Sequence, residues 1–247
     1  MAKFSYDLHV HSCLSPCGDD ESTPNSIAGM AKVIGLDLVA LTDHNTSGNC
    51  AAFFEAAGRY GVTPVAGMEL TTAEDIHLLC LFPTLESALA FDQEVQQRRI
   101  RIPNKQAIFG NQRIVDADDE IAGEEKDLLI NATLLSLEEG ASLCESFSGA
   151  ALPAHIDRES NGAIAVLGAF PETPAFPAIE LHDGGKLAEL TEKYPILEGK
   201  RLIVSSDAHN LGDLSEPEHF IELDAEKGDD AGVRLALIRY LRGEAGQ

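Results

Sequence analysis

The residues most able to carry out chemistry are histidines near the ends of predicted strands. The chain has eight histidines, and His9 and His11 stand two apart. On an extended backbone both imidazoles project to the same side and can bind one ion. The pair alone is weak evidence, because a histidine at a strand end is more often a hydrogen-bonded scaffold residue than a ligand.

Four further segments place metal-binding residue types at predicted strand ends, which makes a chance arrangement hard to defend. They are Asp43 with His44, Glu69 followed by His77, His155, and Asp207 with His209. Imidazole nitrogens mixed with carboxylate oxygens suit Zn, Mn, Fe or a similar divalent ion. The pattern therefore predicts a metal centre assembled from distant parts of the chain.

Alternating strands and helices must position these side chains. Apolar runs and their flanking residues predict strands at about 4–9, 38–42, 63–69, 77–82, 151–156, 178–181 and 202–205. Helices are predicted at about 24–34, 51–60, 85–97 and 231–241. This alternation indicates an α/β fold with a mostly parallel sheet, in which sites form at strand ends.

The 247 residues predict a single domain with an insertion at about 98–149. The first part of the insertion is rich in polar residues, and Phe109-Gly110-Asn111-Gln112 resembles a hairpin turn. The segment covers an active site or decorates the surface, and the sequence favours neither. It also holds the strongest basic cluster, which consists of Arg98, Arg99, Arg101 and Lys105.

Composition restricts the partners and the compartment. A formal charge of −23 repels long nucleic acids, whereas bound cations could still attract a small phosphate. No apolar run approaches the roughly 18 residues that a membrane span needs. The odd number of cysteines and the lack of a signal peptide predict thiols in a cytoplasmic protein.

Taken together, the motifs resemble those of the PHP (polymerase and histidinol phosphatase) superfamily. The resemblance rests on the order and spacing of His9-Val10-His11, Thr42-Asp43-His44, Glu69, His155 and Ser206-Asp207-Ala208-His209. It covers most of the chain, from His9 to His209. It implies a distorted (β/α)7 TIM-like barrel with a metal cluster at the C-terminal ends of the strands, and phosphoesterase activity.

The resemblance also implies which residues hold two or three divalent ions. One ion would take His9, His11, Glu69 and Asp207. Glu69 would bridge to a second ion held by His77 and His155. A third would take His44 and His209 with one ligand from the loop after the His-x-His pair.

That loop departs from the family pattern. Family members often have histidine or aspartate there, whereas this chain has Ser15-Pro16-Cys17-Gly18-Asp19. We favour the Cys17 thiolate as the ligand, with Asp19 as the competing choice. A thiolate would favour Zn or Fe over Mn or Mg at the third site.

The resulting hypothesis is a metal-dependent phosphoesterase that acts on a small phosphorylated metabolite. Arg158 is the candidate phosphate-binding side chain. Asp43 would orient His44 or transfer protons, and His209 or a coordinated water would protonate the leaving group. His182 is expected to be a scaffold residue.

Three alternatives remain open from the sequence. A phosphodiesterase or short-oligonucleotide exonuclease gains support if the basic cluster faces the metals. A non-catalytic metal-binding module is opposed by the nearly complete ligand set. A C–N hydrolase on a related barrel would normally use a lysine at a strand end, and no lysine has a convincing position.

Overall fold

The computed structural model describes residues 1–244, which form an α/β fold. Its strands are β1 (Ala2–Val10), β2 (Leu38–Leu41), β3 (Thr63–Thr71), β4 (His77–Phe82), β5 (Arg113–Val115), β6 (Ile121–Glu124), β7 (Ala150–Pro153), β8 (Ala178–Leu181), β9 (Arg201–Val204) and β10 (Phe220–Leu223). Its α-helices are α1 (Pro24–Ile34), α2 (Cys50–Tyr60), α3 (Leu85–Gln96), α4 (Gln106–Phe109), α5 (Leu137–Ser146), α6 (Ala163–Leu167), α7 (Leu187–Lys193) and α8 (Asp230–Leu241). The α/β class is therefore confirmed.

The main sheet is mixed, so the expectation of a mostly parallel sheet was wrong. Its six strands have the order β10-β1-β2-β3-β4-β7. Only the β1–β2 and β2–β3 pairs are parallel, whereas the β10–β1, β3–β4 and β4–β7 pairs are antiparallel. The reversal arises because a short connection joins β3 directly to β4, with no crossover helix between them. The curled sheet forms a half-barrel, with the parallel pair β8 and β9 as a separate sheet.

This topology brings the carboxyl ends of some strands and the amino end of another to the same edge of the sheet. The carboxyl ends of parallel β1, β2 and β3 lie together. Antiparallel β4 starts at that same edge, where its first residue His77 pairs with Thr71. β7 reverses direction again and ends there, just before His155. Ligands can therefore come from strand starts as well as strand ends.

Helix α1 begins at a capping threonine, and helices pack on the sheet through apolar side chains. Thr23 caps α1 by accepting a hydrogen bond from Ser26 N, and Pro24 occupies the first turn. One apolar cluster joins the sheet to α1, α2, α3 and α5, and a second joins its other face to β9 and α8. Within residues 1–244, no helix combines the length and apolarity needed to cross a membrane.

The segment between α3 and α5 forms α4 and the β5–β6 hairpin. The expected hairpin turn at 109–112 was wrong, because the hairpin turns at 116–120 instead. Asp116 Oδ1 accepts hydrogen bonds from Asp118 N and Glu120 N, which fixes the turn at that aspartate. Gly110 has φ +90°, and a side chain there would collide with Pro16 O. The glycine lets the segment lie directly on the loop after β1.

Candidate metal centre

The first candidate metal site joins the end of β1 to residues from β3 and the loop after β9. The Nε2 atoms of His9 and His11 are 3.1 Å apart. Asp207 Oδ1 lies 3.3 Å from His9 Nε2 and 3.1 Å from His11 Nε2. The two Glu69 oxygens lie 3.3 and 3.2 Å from the same nitrogens. We call these four residues the His9 group.

Glu69 extends from the His9 group towards two more candidate sites. Its Oε1 lies 2.7 Å from His77 Nδ1 and 3.0 Å from His155 Nε2, and its Oε2 lies 3.1 Å from His44 Nδ1. His44, Glu69 and His77 form the second set of potential ligands, here the His77 group. His11, His44 and His209 form the third, here the His209 group. His11, His44 and Glu69 each belong to two groups.

Several of these atoms are buried without a hydrogen bond. A buried polar atom that lacks a partner costs about 1–3 kcal/mol, and a cation bound among such atoms would satisfy several at once. Imidazole nitrogens and carboxylate oxygens are suitable ligands for Zn, Mn or Fe. The residues therefore fit divalent cations. Within the three groups, the buried atoms without a hydrogen bond are His44 Nδ1, His77 Nδ1, Glu69 Oε2 and Asp207 Oδ1.

Neighbouring carboxylates raise the pKa values of both histidines in the His9 group. Burial by itself lowers the pKa of His11, but hydrogen bonds to Asp207 and Glu69 outweigh it and raise that pKa to about 9. Burial also lowers the pKa of His9, yet the charges of Glu180, Glu69 and Asp207 raise it well above its usual range. In the metal-free protein, protons therefore take the place of cations between these rings and carboxylates.

His44 and His209 have lowered pKa values, in contrast to His9 and His11. Burial lowers the pKa of His44 well below its usual range. Burial and the charge of His11 lower the pKa of His209 to about 4. Both rings are thus neutral at physiological pH, which is the form that binds a metal. His209 Nδ1 donates to Asp207 O at 2.8 Å and leaves Nε2 without a proton.

Sequence reasoning missed Glu180, which orients His9. Glu180 Oε2 lies 2.9 Å from His9 Nδ1 and also accepts a hydrogen bond from His155 N. A carboxylate on the other ring nitrogen fixes the orientation and tautomer of a metal-binding histidine. The available signal was a glutamate inside the apolar strand β8, where its side chain is 1% exposed.

Asp43 lies beside the centre, and its side-chain hydrogen bonds go to the loop that follows His11. Its Oδ1 accepts from Ser12 N and Ser15 Oγ, and its Oδ2 accepts from Ser12 Oγ. The carboxylate is buried and holds the loop that follows His11. This placement makes Asp43 a scaffold for the loop.

The structure places Cys17 and Asp19 apart from the close ligand sets. Both are exposed, and neither joins any of the three groups found within residues 1–244. Asp19 Oδ1 accepts a hydrogen bond from Glu21 N. Although Cys17 as a whole residue is exposed, desolvation of its thiol and the charge of Glu69 raise the thiol pKa to about 12. The His209 group consists of His11, His44 and His209, with no member from this loop among the described residues.

A buried carboxylate also supports the loop that carries Asp207 and His209. Asp7 accepts hydrogen bonds from Ser206 Oγ at 2.6 Å and from Ser215 N at 3.0 Å. Asp207 has φ +53°, a left-handed conformation that is unusual without glycine. Anchoring to Asp7 helps to hold this conformation, because a strained backbone persists only where its surroundings determine it.

Arg158 is the cationic residue that lines the cleft over the cluster. Its guanidinium donates to Asp207 Oδ2 and, at 3.2 Å, to His182 Nδ1. His182 thus accepts a hydrogen bond from Arg158. The cleft is lined by His44, Glu69, His77, His155, Arg158, Ser160, Asn161, Asp207 and His209.

The basic cluster of Arg98, Arg99, Arg101 and Lys105 does not line this cleft. Three of its four members form ion pairs with acidic neighbours. These pairs are Arg98 with Glu94, Arg99 with Glu125, and Arg101 with Asp127. Their positive charge is largely neutralised by the protein itself.

Comparison with known families agrees with this geometry. The PHP domain family matches residues 7–146, which is more than half of the chain. The chain belongs to the PHP domain family. Members of this family are generally hydrolases.

Curated relatives match only a part of the chain. An uncharacterized protein of Methanocaldococcus jannaschii is 34% identical over 76 residues, which are 28% of this chain and 44% of that protein. An error-prone DNA polymerase of Symbiobacterium thermophilum is 36% identical over 74 residues, 30% of this chain and 7% of the polymerase. The matched segments span less than half of these relatives.

Solved structures share the fold at low sequence identity. The lesion-specific endonuclease EndoQ of Pyrococcus furiosus has a TM-score of 0.64 at 18% identity, over 99% of this chain and 57% of its own. A putative metal-dependent phosphoesterase of Bifidobacterium adolescentis has a TM-score of 0.53 at 18% identity, over 95% and 96%. An amidohydrolase of Chromobacterium violaceum has a TM-score of 0.58 at 20% identity, over 88% and 91%.

Proposed function

We propose that the chain hydrolyses phosphate monoesters of small metabolites with two or three divalent cations, Zn, Mn or Fe. The observation that carries this proposal is the sharing of Glu69 and His11 between adjacent ligand groups beneath a cleft that contains Arg158. Shared ligands hold cations close together, as phosphate-ester hydrolysis by several metals requires.

The residues that would hold the cations are the three groups, with His155 beside Glu69. When bound, the cations would supply Lewis-acid stabilisation of the phosphoryl oxygens and activate water for attack. We assign His209 as a ligand and not as the leaving-group acid. Its pKa of about 4 leaves it without a proton to donate near neutral pH.

Arg158 would bind the phosphate of the substrate. Its guanidinium can offer parallel N–H groups to two phosphate oxygens. In this structure those donors contact Asp207 and His182, which hold the side chain at the mouth of the cleft. His182 accepts from the second guanidinium nitrogen and so limits the rotation of the arginine.

A small substrate is supported by charge. The chain carries −23, and the ion-paired arginines of the insertion offer little attraction to a long polyanion. The second candidate is a phosphodiesterase or nuclease of short nucleic acids. The likeness to EndoQ favours it, since another EndoQ structure contains a 27-mer duplex substrate with an abasic lesion at its active site.

The test combines metal analysis with a substrate panel. The metal-free chain is loaded separately with Zn²⁺, Mn²⁺ or Fe²⁺ and assayed on phosphate monoesters, a phosphodiester and a short oligonucleotide. We expect two or three ions per chain and highest kcat/KM on a monoester. Glu69→Ala should lose both metal and activity, because Glu69 belongs to two groups. Full metal content with no phosphoester turnover would overturn the proposal, and preference for the oligonucleotide would favour the second candidate.

A further inference from the structure

The hydroxyl of Ser15 contacts three residues of the metal centre at once. Ser15 Oγ lies 2.7 Å from Asp43 Oδ1, 2.9 Å from His11 Nδ1 and 3.2 Å from His44 N. The side chain is fully buried, so water does not compete for these contacts. The loop expected to supply a third-site ligand also places this hydroxyl against the His11 ring and the His44 backbone.

The directions of these hydrogen bonds follow from one proton count. A serine hydroxyl has one proton to donate and two lone pairs that accept. As a carboxylate, Asp43 can only accept, so Ser15 donates its proton to Oδ1. Ser15 must then accept from both remaining partners, His44 N–H and His11 Nδ1–H.

This arrangement fixes the tautomer of His11. With its proton on Nδ1, neutral His11 leaves the Nε2 lone pair facing Glu69 Oε2 at 3.2 Å and Asp207 Oδ1 at 3.1 Å. A lone pair that faces two carboxylate oxygens is repulsive unless a cation lies among them. The protein thus presents the nitrogen of His11 that a metal needs.

We propose that Ser15 is a positioning residue of the metal centre, where it sets the His11 tautomer and anchors the His44 backbone. The proposal rests on the metal centre of the proposed function. Because His11 and His44 together belong to all three groups, one hydroxyl influences the whole cluster. Partners of this kind typically change metal affinity by about 10–100-fold.

Ser12 offers a matched control. It is equally buried and donates to the other oxygen of the same carboxylate, Asp43 Oδ2, at 2.7 Å. Its hydroxyl accepts from Leu14 N and Asn49 Nδ2 and contacts no histidine. Ser12→Ala and Ser15→Ala should therefore weaken the same loop to a similar extent, but only Ser15→Ala removes a partner of His11.

The experiment measures Zn²⁺ and Mn²⁺ affinity of the full chain and both variants by competition with a chelating dye. We expect Ser15→Ala to weaken binding about 10–100-fold and Ser12→Ala to weaken it less than about threefold. Equal losses in the two variants would overturn the role of Ser15. Absence of metal binding by the wild type would instead overturn the proposed function.

A second measurement reports the tautomer of His11 directly. In the Zn²⁺-loaded wild type, nitrogen-15 NMR of labelled histidines should show the His11 proton on Nδ1, where Ser15 Oγ accepts it. Ser12→Ala loaded with Zn²⁺ should give the same His11 signals. A proton on Nε2 of His11 in the Zn²⁺-loaded wild type would overturn the proposal.

Discussion

The two sides of the metal cluster are built differently. On the β1 side, the second ring nitrogen of His9 contacts Glu180 and that of His11 contacts Ser15. On the opposite side, His44 and His77 contact Glu69 through Nδ1. Within residues 1–244, the Nε2 atoms of these two rings have no hydrogen-bond partner. Fixed rings bind metal with less reorganisation, so we expect the His9 group to bind more tightly.

The largest loss of activity and metal should come from His11→Ala, which we compare with His77→Ala on the other side of the cluster. His11→Ala deletes a ligand shared by two groups and should lower kcat/KM by more than about 1000-fold, with most of the metal lost. His77→Ala should keep the metal of the His9 group. Metal content per chain after gel filtration measures both results. Equal metal loss in the two variants would contradict the comparison.

The second largest effect should come from replacing Arg158, which contacts Asp207 of the His9 group. Arg158→Ala should lower kcat/KM for a phosphate monoester by about 100-fold, with unchanged metal content, because the guanidinium would bind the substrate. Arg101→Ala is the control, since Arg101 is paired with Asp127. We expect its kcat/KM to stay within about twofold. A large loss for Arg101→Ala would show that the insertion contacts substrate.

Glu180→Gln tests the preorganisation itself. The variant keeps the size of the side chain but weakens its hydrogen bond to His9 Nδ1. The cation of the His9 group should therefore bind about 10-fold more weakly. Metal competition in the presence of a chelator measures the change. Glu139→Gln alters an exposed glutamate that caps α5 and should leave metal affinity unchanged. Unchanged affinity in Glu180→Gln would remove the reason for the difference between the two sides.

The smallest effect is a pH dependence of the metal-free protein. His11 titrates near 6.5 when unfolded and at about 9 when folded. Its protonation therefore stabilises the fold fully below about pH 6.5, and this contribution is lost as pH rises through about 9. We expect Tm of the metal-free chain to fall over this interval by a few degrees more than that of His11→Ala. Parallel curves would contradict the assignment.

The sequence predicted the elements that depend on local pattern. β4 and β8 begin and end where the apolar runs do, and α1 starts at its threonine cap. The histidines at strand ends were also found, because a polar residue after an apolar run is visible locally.

Features set by distant partners could not be predicted. β10 was missed because only alternate residues of this short strand are buried, and its identity as a strand depends on pairing with β1. The direction of β4 depends on pairing that hydrophobicity does not encode. Glu180 and Ser15 acquire their roles only when the chain brings each one to its histidine.

The short connection between β3 and β4 also has a consequence for the order of folding. Glu69 and His77 lie on one hairpin, and His44 reaches it from the preceding strand, so their contacts close short loops. The contacts of His9 and His11 with Asp207 join opposite ends of the chain and carry a larger loop-closure entropy. The weaker half of the cluster can therefore assemble first during synthesis, and the tighter half is completed only when β9 and the loop after it have docked.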